Sequence, residues 1–205
     1  MGVRVVIVQH GDKERLPGDP GLTALGREQA ARVADRLRPM DTPIGVWTSP
    51  MRHARETAEP IVQGLDVPLA TDARLRERMN WTDPEAETID AFLSDWRAAT
   101  VDRSHQPRSG DSSHAAAARF LEALDELAAA HDDGTAVVVA HGGVTTDALR
   151  DLLGDDELRS RHPTLIDDGV PSGALTTLTA TDGGWEVDAI AVTSHLDATS
   201  GHDPA

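Results

Sequence analysis

The residues best suited to chemistry stand at the ends of two apolar runs. Val5-Val6-Ile7-Val8-Gln9 leads into His10-Gly11, and Thr135-Ala136-Val137-Val138-Val139-Ala140 leads into His141-Gly142-Gly143. An imidazole can attack phosphorus as a nucleophile, act as a general acid or base, or ligate a metal. A valine-rich run of this length reads as a strand buried on both faces. Glycine directly after it marks a tight turn or a close backbone approach. Open α/β sheets bind ligands at the carboxyl ends of their strands, so the pocket between His10 and His141 is the expected organising centre.

The elements that must hold these residues read as follows. Residues 3–9 form the first strand, and Asp12–Pro20, with Pro17 and Pro20, a loop. Thr23 caps a helix whose inner face is Ala30, Val33 and Leu37, ending near Pro39. A second strand covers about 44–48. Ser49-Pro50 is suited to N-cap and first helical position of the next helix, with Ala54, Ala58, Ile61 and Leu65 inward and Arg52, His53 and Arg55 in its first turns. Residues 66–83 read as a connection. Helices follow at 85–100, with Ile89, Phe92, Leu93 and Trp96 on one face, and at 113–131. Residues 76–112 read as an insertion over the sheet that can act as a lid. After His141 a helix covers 144–153; free backbone N–H groups at its glycine-rich start favour an anion. Residues 155–172 read as an irregular acidic connection, and 175–181 and 185–192 as a hairpin turning at Asp182-Gly183-Gly184. The expectation is one α/β domain over 1–196, a three-layer αβα sandwich around a mostly parallel doubly wound sheet, with a disordered tail at 197–205.

Composition narrows the function. The chain has 205 residues, a net charge of −16 and no cysteine. The charge argues against nucleic acid and membrane partners, and the missing cysteines exclude disulfides and thiolate metal sites. No run is apolar enough to span a membrane and no signal-peptide form is visible, so a cytoplasmic location is expected. Paired metal ligands at close spacing, such as H-E-x-x-H, do not occur. His131-Asp132 is better explained as a histidine facing a helix C-terminus, so neither metal nor cofactor is expected. Lys13 is the only lysine among 19 basic residues, on the loop leaving the first strand, where its ammonium can return to the pocket.

The motifs together resemble the histidine phosphatase superfamily, the phosphoglycerate-mutase-like fold, over about residues 3–196. The R-H-G-[ED]-T signature appears as Gln9-His10-Gly11-Asp12-Lys13, and L-T-x-x-G-x-x-Q-A as Leu22 to Ala30. S-P-L-x-R-A-x-x-T-A appears as Ser49 to Ala58, L-x-E as Leu75-Arg76-Glu77, and G-E-S as Gly110-Asp111-Ser112. H-G-G is His141-Gly142-Gly143 and the terminal H-L is His195-Leu196. The resemblance implies that His10 becomes phosphohistidine, that His141 stabilises the transferring phosphoryl group, and that Glu77 protonates the leaving oxygen and then activates water. Gln9, Gly11, Lys13, Arg52, His53 and Gly142 are the expected phosphate contacts.

Two positions depart from the pattern: Gln9 and His53 stand where arginines would bind phosphoryl oxygens. Loss of one such donor typically costs about 10²–10³ in rate, and Arg52 points about 100° away from position 53 on a helix. The leading expectation is a metal-independent phosphomonoesterase acting on a small phosphorylated metabolite, with that substrate or inorganic phosphate as partner. The alternative is a non-hydrolytic relative that binds an anionic ligand or performs another reaction. Arg76 and Arg78 read as solvated, Arg55 and Arg119 as helix-face ion pairs, and His195 as a structural hydrogen-bonder near the site.

Overall fold

The computed structural model describes residues 2–41 and 43–197. Six strands form one sheet in the order β3-β2-β4-β1-β5-β6, with β1 at Arg4–Gln9, β2 at Pro43–Thr48, β3 at Leu69–Thr71, β4 at Thr135–Ala140, β5 at Leu175–Thr181 and β6 at Gly184–Val192. β1, β2, β3 and β4 pair in parallel; β5 and β6 are antiparallel. The seven helices among the described residues are α1 (Ala24–Leu37), α2 (Arg52–Leu65), α3 (Ile89–Val101), α4 (Ser113–Ala129), α5 (Gly142–Leu153), α6 (Asp155–Arg161) and α7 (Leu165–Asp168).

The continuous apolar runs are explained by burial on both faces. On one side Val6, Val8, Val46, Val137 and Val139 pack against Val33 and Leu37 of α1 and Ala54, Ala58 and Ile61 of α2. On the other, Val5, Ile7, Ala136 and Val138 meet Phe120 and Leu124 of α4 and Val144 and Leu149 of α5. Each fully buried aliphatic side chain contributes about 1.5–3 kcal/mol. The product is the expected three-layer αβα sandwich.

Register then places the site. Gln9 lies opposite Ala140 in the parallel β1–β4 pair, so His10 and His141 leave the sheet side by side. Thr48 lies opposite Val139, which brings Ser49 to the same edge. Gly11 and Gly26 are needed here: a Cβ on Gly11 would lie 2.4 Å from the Gly26 carbonyl oxygen, and one on Gly26 would lie 2.0 Å from that of Asp12. The loop after β1 therefore sits directly on the first turn of α1.

Several boundaries differ from the sequence expectation. α2 starts at Arg52 rather than Pro50, because the Ser49 hydroxyl is turned to His141, while Asp19 accepts from the Arg52 N–H at 2.8 Å. α5 begins at Gly142, two residues early. The connection at 66–83 contains the short edge strand β3. The stretch 155–172 is not irregular; it holds α6 and α7. In α6, Asp155, Asp156 and Glu157 open the helix and Arg159 and Arg161 close it, which matches the helix dipole. In α3 only Ala99 and Thr100 are buried; the face carrying Ile89, Phe92, Leu93 and Trp96 lines a cavity. Residues 198–205, most of the tail expected to be disordered, lie outside the described residues.

Candidate active site

Three imidazoles meet at the carboxyl edge of the sheet. His10 follows β1, His141 follows β4, and His53 lies in the first turn of α2. Their ring centroids are 4.3 Å apart for His10 and His53, and 5.1 Å for each of the other two pairs. All three are buried. The outward nitrogens are engaged: His10 Nδ1 with the Gly11 carbonyl at 2.7 Å, His53 Nδ1 with the Pro20 carbonyl at 3.1 Å, and His141 Nε2 with Ser49 Oγ at 2.8 Å. His53 Nε2 and His141 Nδ1 face each other at 3.3 Å. Burial pushes the His10 pKa down to about 3, helped by His53, and the His53 pKa down to about 4. His141 is lowered for the same reason. All three rings are therefore neutral around pH 7.

The rings floor a cavity of about 680 Å³. Lys13 and Arg15 bring positive charge to it from the loop after β1, and Glu77 brings a carboxylate. Its walls are apolar, with Met51, Met79, Trp81, Phe92, Leu93 and Trp96 among them. Burial lowers the Lys13 pKa against the pull of Glu77, Asp12 and Asp19. The Lys13 charge in turn helps hold all three imidazoles neutral. Arg15 was absent from the sequence expectation; five residues beyond His10 in a charged loop, it carried no motif.

Glu77 takes a place expected for phosphate. Its carboxylate accepts from the backbone N–H groups of Gly143 at 2.9 Å and Val144 at 2.8 Å, the first turn of α5. Arg78 N–H adds a third bond at 2.8 Å. Gly143 leaves the space: a Cβ there would sit 2.6 Å from Glu77 Oε1 and 2.7 Å from the Trp96 ring. The N–H groups expected to be free for a ligand anion at this glycine-rich helix start are thus taken by a side chain of the protein itself. Burial pushes the Glu77 pKa up, against the downward pull of these N–H bonds and of Arg78.

Other expected contacts are placed elsewhere. Arg52 turns to Glu56 at 2.7 Å and is largely exposed, away from the imidazoles. Gln9 is buried, but it lines an adjoining cavity with Glu77, Gly142 and Gly143 rather than the histidine cavity. The Gly11 N–H is bonded to Thr57 Oγ1 at 3.1 Å, and Gly142 borders the adjoining cavity. His195 accordingly bonds the Gly173 carbonyl at 2.9 Å, and Gly173 N–H donates to the carbonyls of Gln9 and His10.

Arg78 is not solvated. It is buried, bonds Asp147 at 3.1 and 3.2 Å and Thr100 at 2.6 Å, and lies 4.0 Å from the centre of the Trp96 ring. Arg119 pairs with Asp111 at 2.8 Å and also donates to the carbonyls of Arg74, Arg76 and Glu77. It is thus a brace for the segment that carries Glu77. Among the described residues, His10, His53 and His141 are the only group of three or more such side chains placed to share a metal ion.

The sheet and its flanking helices are phosphoglycerate-mutase-like, and comparison with known proteins agrees. The model of the histidine phosphatase superfamily, branch 1, matches residues 5–193. The chain belongs to that superfamily. It is 33% identical to a glucosyl-3-phosphoglycerate phosphatase of Mycolicibacterium vanbaalenii over 168 residues, 74% of each chain. It is 28% identical to a metal-independent phosphoserine phosphatase of Arabidopsis thaliana over 158 residues, 68% of this chain and 64% of the plant protein. A mycobacterial glucosyl-3-phosphoglycerate phosphatase solved in complex with inorganic phosphate superposes with a TM-score of 0.74 at 27% identity, covering 95% of this chain and 99% of that one. No helix among the described residues is long and apolar enough to cross a membrane.

Proposed function

We propose that the chain hydrolyses small phosphomonoesters through a phosphohistidine on His10 and needs no metal ion to do so. One observation carries the reading. A carbonyl can only accept, so the bond from His10 to the Gly11 carbonyl fixes the proton on Nδ1. That leaves the Nε2 lone pair as the nucleophile at the floor of the cavity.

In the first step His10 Nε2 bonds to phosphorus as the ester P–O bond breaks, and Glu77 gives its proton to the departing alcohol oxygen. In the second, water attacks phosphorus while Glu77 takes the water proton; the P–N bond breaks and its electron pair returns to Nε2. Phosphoryl transfer depends mainly on positioning and charge neutralisation. Lys13 and Arg15 supply the charge, and His141 a hydrogen bond to a phosphoryl oxygen. The apolar walls fit an alcohol with a substantial hydrocarbon or aromatic part, and α3 covers it.

The test is turnover of p-nitrophenyl phosphate in EDTA. Activity that survives EDTA and disappears in His10→Ala is expected. A specific observation favours the second reading, a non-hydrolytic phosphate-binding relative: Arg52 is turned away and His53 carries no charge. Tight phosphate binding without turnover between about pH 4 and pH 9 would select it.

A further inference from the structure

We propose that His10, His53 and His141 form a site for one divalent transition-metal ion of the zinc class, and that an ion held there shuts off phosphoryl transfer. The binding clause stands on geometry alone; the inhibition clause rests on the phosphohistidine reading above.

One nitrogen from each histidine lies within 4.8 Å of the other two. Which nitrogens these are follows from the outer bonds. The carbonyls of Gly11 and Pro20 hold protons on His10 Nδ1 and His53 Nδ1, so both Nε2 atoms carry lone pairs. His141 contributes Nδ1, since its Nε2 meets Ser49 Oγ. Metal-binding histidines characteristically donate their other N–H to a carbonyl, carboxylate or water, which fixes the tautomer and the ring. Here the two carbonyls and the serine hydroxyl provide such a shell. The hydroxyl can donate to His141 Nε2 or accept from it, so His141 changes tautomer and frees Nδ1 without moving.

The distances suit the ion. With Zn–N bonds of about 2.0–2.1 Å, two nitrogens on a tetrahedral centre lie about 3.3 Å apart. His53 Nε2 and His141 Nδ1 are 3.3 Å apart. His10 completes the set by turning towards them. Three imidazoles and an open fourth position form a common zinc arrangement, and the fourth position opens into the cavity beside Glu77.

This site exists because of a departure from the superfamily pattern. An arginine at position 53 would repel a cation and offer no lone pair. No short motif announces it, because the three ligands come from three distant strand and helix ends. An ion bound there ties up His10 Nε2, the nucleophile. Lys13 opposes a dication in the cavity, and Glu77 favours it.

The experiment uses the full chain, stripped with EDTA and dialysed, then titrated with Co²⁺ as a visible probe and Zn²⁺ as competitor. One Co²⁺ per chain is expected, with the intense visible band of a tetrahedral centre that Zn²⁺ abolishes. His53→Arg and His53→Gln should each weaken binding by more than about a hundredfold, the upper end of what loss of a mere supporting group costs. His131→Ala should bind as the parent does. Circular dichroism and thermal melting report whether each variant is folded. No band in the parent, or an unchanged band in folded His53 variants, overturns the site. Turnover by the stripped, dialysed chain that stoichiometric Zn²⁺ abolishes supports the inhibition clause, whereas turnover that Zn²⁺ leaves intact or increases overturns it. Turnover in EDTA without metal binding defeats this inference alone. Metal binding without turnover in EDTA defeats the phosphohistidine reading and leaves the site standing.

Discussion

At the scale of single residues, Gln9 and His53 stand neutral where the resemblance leads one to expect arginines, and positive charge reaches the cavity from Lys13 and Arg15 on a loop. Lys13 lines the cavity, and its ammonium acts on all three imidazoles. Lys13→Ala should lower kcat/KM for a phosphomonoester by about a hundredfold, as for loss of one charge-stabilising donor, and Lys13→Arg should recover part of it. Steady-state kinetics in EDTA decide this; unchanged kinetics would return Lys13 to a solvated loop. Glu77 makes a second prediction. Its raised pKa keeps the acid form populated to higher pH than an ordinary carboxyl allows, and activity must fall as pH rises through that value. Glu77→Gln should remove this basic limb and slow alkyl phosphates much more than p-nitrophenyl phosphate, whose leaving group needs no proton. Equal losses for both esters would contradict the acid role.

At the scale of elements, the strand ends and a helix over them were legible, and the side-chain partners between them were not. Two apolar runs ending in His-Gly are strong local signals, and parallel register converts them into neighbouring imidazoles. The place of His53 was readable only as a motif position; that it meets His10 and His141 depends on the packing of α2 against the loop at Pro20. Arg78 was unreadable because a buried arginine has no sequence signature apart from its partner, and Asp147 lies 69 residues away. What the apolar stripe of α3 faces was unreadable for a related reason: an amphipathic stripe looks the same whether it faces a core or a cavity. The Arg78–Asp147 pair joins the Glu77 segment to α5, and Arg78 also bonds Thr100 of α3. Asp147→Ala should therefore destabilise the protein by about 3–5 kcal/mol, since it strands a buried guanidinium. Urea unfolding measures it, and a loss under about 1 kcal/mol would show that the pair is better solvated than its burial indicates.

At the scale of the molecule, a net charge of −16 repels the dianionic substrate that the local cations attract. Raising ionic strength from about 0.01 M to 0.15 M shortens the screening length from about 30 to 8 Å, which hides the distant carboxylates more than the adjacent Lys13. kcat/KM should rise with salt, and a steep fall would mean that the local cations dominate encounter. The buried imidazoles also link stability to pH. Their folded pKa values lie below the unfolded value near 6.5, so their contribution is complete above that pH and is lost as pH falls towards about 4 and about 3. Glu77 and Asp147, both shifted upward by burial, act in the opposite sense but are two groups against three. The urea midpoint in EDTA should drop between about pH 7.5 and about pH 5, and less so in His53→Gln. The central claim is that His10 carries the phosphoryl group. The direct measurement is intact-mass and peptide analysis of EDTA-treated protein, quenched in base during turnover of a phosphomonoester. One acid-labile phosphoryl group on the peptide containing His10, absent in His10→Ala, is the predicted result. Turnover with no phosphoprotein formed, or with the phosphoryl group on another residue, would contradict it.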